Sequence, residues 1–373
     1  MARCLNRRSI SLEIYGWFVR GSPGTFQGGT VLRLARVQWL SLILAVGLVL
    51  TSTALSQPST LRAYRFGGAY YVAVNDLATY YGLNPDSRDG GLTRAEYKTS
   101  FGQLEVEADH RDILLNGVTH WISTPILAER NRLWIAEIDV LKTVDPVLQP
   151  GHLRKPGAVV RTVVIDPGHG GTDHGTHGRA SYEKTMTLDV AKRVERDLAG
   201  SGLRVILTRT TDETVPLEDR VDFARQKGAD LYVSIHFNSG GSAEGIETYC
   251  TTPAGQSSTA NINGNGSDRD TSGGDRSAVT NNRFDAQNVF LAQCIQRAAL
   301  RATGAVDRGV RRARFWVLRY ASCPAILIEG GFLTNSYEEQ RILHADYRDT
   351  LARAIADGIL TYKKTLGTPE PSR

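Results

Sequence analysis

Four side chains in the second half of this 373-residue chain have the types and positions that hydrolytic chemistry needs: His169, Glu183, His236 and Glu329. His169 follows Val163-Val164-Ile165-Asp166-Pro167, with glycines at 168, 170 and 171 around it. An apolar β-branched run reads as a buried strand. Proline ends it, because it lacks the N–H for the ladder. The glycines allow a tight turn and leave room for a close approach. His236 follows Leu231-Tyr232-Val233-Ser234-Ile235, and Glu329 follows Pro324-Ala325-Ile326-Leu327-Ile328. Glu183 opens a helix just after the first loop. Two imidazoles and one carboxylate form a frequent ligand set for catalytic zinc, with the fourth position left to water. A second carboxylate outside that set can take the water's proton and hand it to a leaving amine.

Taken singly, each residue has an ordinary explanation. His169 could hydrogen-bond a loop, and Glu183 could be favoured by a helix dipole. Glu329 could pair with Arg311 or Arg319. Together they are hard to explain as packing, because each would cost several kcal/mol if buried unpaired and a metal removes that cost.

The elements that position these groups read as alternating strands and helices over residues 158–365. Helical spacing runs from Glu183 to Leu198, with Met186, Leu188, Val190, Ala191, Val194 and Leu198 apolar. Leu203 to Leu207 reads as a strand, and Pro216 opens a helix to Gln226 with Leu217, Val221, Phe223 and Ala224 inward. Ile246 to Tyr249 reads as a short strand, Ala286 to Ala302 as an amphipathic helix, and Tyr347 to Tyr362 as a closing helix. Residues 253–283 are rich in Ser, Gly, Asn, Thr and Asp, which predicts a flexible surface insertion. The pattern predicts an α/β domain, a mostly parallel sheet flanked by helices. In such sheets ligands bind at the carboxyl ends of the strands.

A small α+β domain is expected over residues 61–148. Tyr70 to Ala78 reads as a strand running into a helix capped by Asn75. Alternating segments at 104–108, 112–117 and 119–122 follow, with Asn116-Gly117 a strong hairpin signal. Leu133 to Leu141 repeats the strand-to-helix pattern, and proline and glycine mark residues 149–157 as a linker. His110 and His120 read as surface or packing residues.

Upstream, the apolar block Trp39 to Leu50 follows Arg33 and Arg36 and precedes Ala54-Leu55-Ser56. That is the length of a signal-peptide core and short of the ~20 residues that span a bilayer. Residues 1–56 therefore read as a signal peptide with a long basic start, cleaved after Ser56. Export to the periplasm or cell envelope follows, with membrane contact only through an uncleaved segment. Residues 1–56 also carry six of the 44 basic and one of the 39 acidic side chains, so the remainder is balanced at 38 each. A nucleic-acid binder would keep a basic surface in its folded part, and that class is excluded. No CxxC occurs among Cys4, Cys250, Cys294 and Cys323, which removes cysteine-based zinc and thioredoxin chemistry. A Cys250–Cys323 bridge is conceivable; three buried free thiols are the expectation.

In order along the chain stand Ile165-Asp166-Pro167-Gly168-His169-Gly170-Gly171, Glu183-Lys184, Ser234-Ile235-His236-Phe237-Asn238, Gly245-Ile246-Glu247-Thr248-Tyr249, Arg308-Gly309-Val310 and Glu329-Gly330-Gly331-Phe332-Leu333-Thr334-Asn335. This series resembles the zinc-dependent N-acetylmuramoyl-L-alanine amidases. Any one piece is weak; six in order are specific. The resemblance implies His169, Glu183 and His236 as zinc ligands and Glu329 as the catalytic carboxylate. It also implies cleavage of the amide between the lactyl group of N-acetylmuramic acid and the L-alanine of the peptidoglycan stem, by attack of a zinc-bound water. Peptidoglycan and an activating protein are the expected partners. Asn238 could orient substrate or simply pack. The family usually carries proline where His174 stands; His174 and His177 could reach the metal, but histidines in a polar loop are more often solvent-exposed. Residues 61–148 resemble the N-terminal module of copper amine oxidases, which implies wall or partner attachment, with a structural spacer as the alternative. Rival readings are a zinc peptidase acting on the stem and an inactive wall-binding protein.

Overall fold

The structure is a computed structural model that describes residues 7–10, 60–85, 93–153, 159–260 and 276–367. The apolar block 39–50 and the expected cleavage point lie outside the described residues. Among the described residues, no helix is long and apolar enough to cross a membrane.

The first part of the chain holds β1 (Arg7–Ile10), β2 (Leu61–Phe66), β3 (Ala69–Ala73), α1 (Val74–Tyr80), β4 (Asn84–Pro85), β5 (Arg94–Lys98), β6 (Gln103–Glu107), β7 (Asp112–Leu115), β8 (Val118–Trp121), β9 (Leu127–Glu129) and β10 (Arg132–Ala136). Helices α2 (Glu137–Asp139) and α3 (Asp145–Leu148) flank a π-helical turn, Val140–Val144. The Asn116-Gly117 signal is realised: both residues have positive φ, 50° and 77°, and join β7 to β8. The expected cap is not. Ala73 occupies the N-cap of α1, and the Asn75 side chain instead accepts hydrogen bonds from Arg132 at 3.1 and 2.6 Å.

The second part holds β11 (Thr162–Pro167), α4 (Glu183–Asp197), β12 (Arg204–Leu207), α5 (Leu217–Gln226), β13 (Leu231–Asn238), β14 (Ile246–Thr251), α6 (Asp285–Thr303), β15 (Asp307–Ala313), α7 (Trp316–Tyr320), β16 (Ala325–Phe332), α8 (Ser336–Leu343) and α9 (Ala345–Gly367). Strand order is β12-β11-β13-β16-β14-β15-β8-β7-β6-β5-β4. The first four strands are mutually parallel, whereas β14 pairs with β16 antiparallel and then with β15 parallel. The sheet is therefore mixed, parallel where the site lies and reversed beyond β16.

Strands β11, β13 and β16 are buried along their whole length, and successive residues alternate between two cores. Val163, Ile165, Val233, Ile235, Ile326 and Ile328 join the core cluster that includes α4, α6 and α9 residues, among them Val190, Ile295 and Ile355. Val164, Tyr232 and Leu327 face a second cluster with Val221 and Ala224 of α5 and Val317 and Leu318 of α7. Helices thus cover both faces, and period-2 alternation puts Asp166, His236 and Glu329 on the α5/α7 face.

The expected insertion is only partly a surface loop. Buried residues anchor each flank: Thr259 accepts from the Arg312 N–H, and Asn281 donates to the carbonyls of Ala321 and Cys323 at 3.0 and 2.8 Å. Residues 261–275 between them lie outside the described residues. Cys250, Cys294 and Cys323 are buried free thiols.

Candidate metal centre

Parallel pairing decides where the site forms. In the β13–β16 ladder His236 stands opposite Glu329, and in the β14–β16 ladder Glu329 stands opposite Glu247. Residues in register on neighbouring strands share a face, so His236, Glu329 and Glu247 form a row at the carboxyl ends of the parallel strands. Glu329 is buried in that row, 2% exposed.

Glu183, first residue of α4, reaches the same point. Its Oε2 lies 3.1 Å from His169 Nε2, and its Oε1 lies 2.9 Å from His236 Nδ1. Each oxygen also accepts a backbone N–H, from Thr176 at 2.7 Å and from Phe237 at 3.0 Å. Burial, the largest single effect, would raise the Glu183 pKa; the two imidazoles outweigh it and hold the carboxyl well below its usual range. The carboxyl is therefore ionised. One ligand atom from each of His169, Glu183 and His236 lies within 4.8 Å of the other two. Imidazole nitrogens and a carboxylate oxygen, buried and converging, fit a divalent transition ion. Glu329 is outside this set of three.

The loop that carries His169 is tightly held. His169 itself has φ +60°, a left-handed conformation uncommon for a residue with a side chain. Its Nδ1 lies 2.9 Å from Asp173 Oδ2, which orients the ring so that Nε2 faces Glu183. A β-carbon at Gly168 would stand 2.3 Å from His236 Cε1, so only glycine lets the second imidazole in. Two buried guanidinium groups clamp the backbone. Arg220 donates to the Pro167 and His169 carbonyls at 2.8 and 2.7 Å and to Asp166 Oδ1 at 2.6 Å. Arg209 donates to the carbonyls of Pro167, Gly168 and Lys184 at 3.1, 2.8 and 2.8 Å.

Neither arginine stood out in the sequence, although a signal for Arg220 exists. It lies one residue before Val221 and four before Ala224, on the buried side of α5, where Leu217 was expected; Leu217 is instead 51% exposed. Asp166 is the anion of this clamp. Burial would raise its pKa, but Arg220 and the hydroxyls of Thr208 and Tyr232 hold it at about 2. An Arg220→Met protein should lose roughly 3–5 kcal/mol, the usual cost of leaving a buried charge unpaired. Because the folded-state pKa of Asp166 is depressed from 3.8, the wild type carries about 2 kcal/mol from this group above pH ~4 and loses it as pH falls towards 2. Urea unfolding at pH 7 and pH 3 should show that acid-dependent loss in the wild type and a much smaller one in the variant.

His174 and His177 are not in the ligand set. Both rings pack on Tyr182, with centroids 4.8 Å away in each case. Asn238 is buried behind the row: its Nδ2 donates to Glu247 Oε1 at 2.6 Å and its Oδ1 accepts from the Ser239 N–H at 2.7 Å. Arg311, weighed as a partner for Glu329, pairs with Glu247 at 3.0 Å. A cleft of about 620 Å³ opens over His169 and His236, walled on one side by Thr214 to Leu217 and on the other by Arg314 to Val317 and Arg319.

The segment that builds this site matches a known family. Residues 163–361 match the Amidase_3 family, N-acetylmuramoyl-L-alanine amidase. The chain belongs to that family. It is 33% identical over 245 residues to the N-acetylmuramoyl-L-alanine amidase AmiA of Escherichia coli (strain K12), covering 61% of this chain and 84% of that protein. It is 35% identical over 207 residues to the N-acetylmuramoyl-L-alanine amidase LytC of Bacillus subtilis (strain 168), covering 55% of this chain but only 36% of LytC. Among solved structures, the catalytic domain of CwlV, an N-acetylmuramoyl-L-alanine amidase from Bacillus (Paenibacillus) polymyxa var. colistinus, is 34% identical with a TM-score of 0.45, covering 55% of this chain and 99% of that one. All four candidate residues fall inside the family match, and residues 61–153 fall outside it.

Proposed function

We propose that the chain hydrolyses the amide joining the lactyl group of N-acetylmuramic acid to L-alanine in the peptidoglycan stem, with one zinc ion held by His169, Glu183 and His236. The observation that carries this reading is the closure of those three side chains, Glu183 and His236 buried and His169 half-buried, onto one point within the amidase segment. Two imidazoles and a carboxylate match the preference of catalytic zinc for mixed nitrogen and oxygen ligands. When bound there, zinc would acidify a water and polarise the scissile carbonyl.

The protein's own groups do the rest. The Arg209–Arg220 clamp and Asp173 fix the first imidazole, and the backbone donors Thr176 and Phe237 fix the carboxylate. Glu329, beside His236 in the sheet, takes the proton lost by the attacking water. It returns that proton to the nitrogen of L-alanine as the C–N bond breaks. The products are a lactyl carboxylate on the glycan and a stem peptide with a free amine. The Arg-flanked apolar block at residues 39–50 supports export to the cell envelope, where this substrate lies.

Mass spectrometry of digested muropeptides tests the bond cleaved. The expected products are lactyl-ended glycan and peptides that begin with L-alanine, absent when a chelator is present. Glycan still carrying L-alanine, with a shortened stem, would show a stem peptidase instead.

A further inference from the structure

We infer that the 61–153 module is a working part of the catalytic body and that Trp121 is a positioning residue for Glu329, acting through Arg308, Arg311 and Glu247. This inference rests on the assignment of Glu329 above.

The module is joined to the amidase segment through its sheet and its core. Strand β8 continues the catalytic sheet beside β15, with His120 opposite Val310. Gly309, in the Arg308-Gly309-Val310 motif, has φ +87°, and a β-carbon there would stand 2.7 Å from the Thr119 carbonyl oxygen. The catalytic chain is thus shaped to receive the module's strand. Thr119 N–H donates to Asp307 Oδ2 at 2.7 Å, and the buried His120 Nε2 lies 2.5 Å from Gln293 Oε1 on α6. Burial pushes the His120 pKa down to about 4, so this contact is made by a neutral ring. Further along, Arg312 donates to the Lys142 carbonyl at 2.7 Å and to Thr143 Oγ1 at 3.0 Å. Lys142 pairs with the buried Asp285 at 3.2 Å. Such a junction, hydrogen-bonded in its interior, does not behave as a tethered spacer.

Trp121 links the module to Glu247, and so to the row, through two arginines. Its Nε1–H donates to the Arg308 carbonyl at 2.9 Å, and the Arg311 guanidinium lies 4.3 Å from its ring centroid. Arg308 and Arg311 both reach Glu247 Oε2, at 3.1 and 3.0 Å. Glu247 Oε1 accepts from Asn238 and from the Tyr249 hydroxyl, at 2.6 and 2.8 Å. Glu247 stands directly across the β14–β16 ladder from Glu329. Two carboxylates side by side repel unless one is neutralised, and the two arginines do this for Glu247. The indole holds one of them by its face and the backbone of the other by its N–H.

The test is kinetics on the full chain with soluble peptidoglycan fragments, comparing Trp121→Ala and Trp121→Phe with Glu329→Ala and the wild type. Trp121→Ala should lower kcat tenfold or more with KM within twofold and bound metal unchanged. Trp121→Phe keeps a ring for Arg311 but loses the N–H, and should lower kcat by a smaller factor. A folded Trp121→Ala protein with wild-type kcat overturns the inference, as does a loss of activity that follows metal loss. If Trp121→Ala does not fold, Trp121→Phe decides: wild-type kcat overturns the inference and a lowered kcat at unchanged KM supports it. An active Glu329→Ala protein would overturn the assignment of Glu329 instead, which separates the two failures.

Discussion

Replacing Glu329 with alanine should lower turnover by roughly 10²- to 10⁴-fold, the usual contribution of a positioned general acid–base, while the protein still binds its metal. The geometry separates the two properties. Glu329 sits on β16 beside His236, but among the described residues the converging ligand atoms belong to His169, Glu183 and His236. Its removal would therefore delete the proposed proton carrier and leave the proposed ligands in place. Glu329→Gln, which keeps the volume and removes the base, should be nearly as slow. The measurements are kcat on soluble fragments and metal per chain for both variants. Full activity in either would remove Glu329 from the mechanism.

His169→Ala should lose metal and turnover together. Without one of three ligands, the remaining pair cannot close a tetrahedral site. The effect should exceed that of Asp173→Ala, which removes only the group that orients His169 and should weaken metal binding by roughly 10- to 100-fold. A ligand that binds only the folded state raises stability by about 2.7 kcal/mol at 100 times its Kd. Added zinc should therefore raise the Tm of the chelator-treated wild type and leave that of His169→Ala almost unchanged. An equal shift in both proteins would place the metal elsewhere.

Much of this site was legible because each group follows an apolar run or opens a helix. Glu183 starts α4 and His169 stands two residues beyond β11, whereas β13 and β16 run on past His236 and Glu329, to Asn238 and Phe332, because the ladder continues beyond the apolar run. Strand ends in a parallel sheet converge, so element type alone brought distant residues together. What stayed hidden depends on pairing, which a local pattern does not encode. The reversal of β14 and β15 follows from which strands are neighbours, and a short apolar run reads alike in either direction. Arg209 and Arg220 are buried because carbonyls of a distant loop need donors. Asn75 reads as a cap by residue type, yet Arg132 on a neighbouring strand takes its side chain. The joining of the module to the catalytic sheet through His120 and Trp121 rests on contacts more than 170 residues apart.

On the proposed reading, one divalent ion sits among His169, Glu183 and His236 and is needed for amide cleavage. The most direct test is to count metal per chain in the purified wild type and in a His169→Ala/His236→Ala protein, with amidase activity measured on the same samples before and after chelation. The expected result is one ion per wild-type chain, none in the double variant, and activity that disappears with the ion and returns with zinc. A metal-free wild type that still releases L-alanine-ended peptides, or a double variant that keeps its ion, would contradict it.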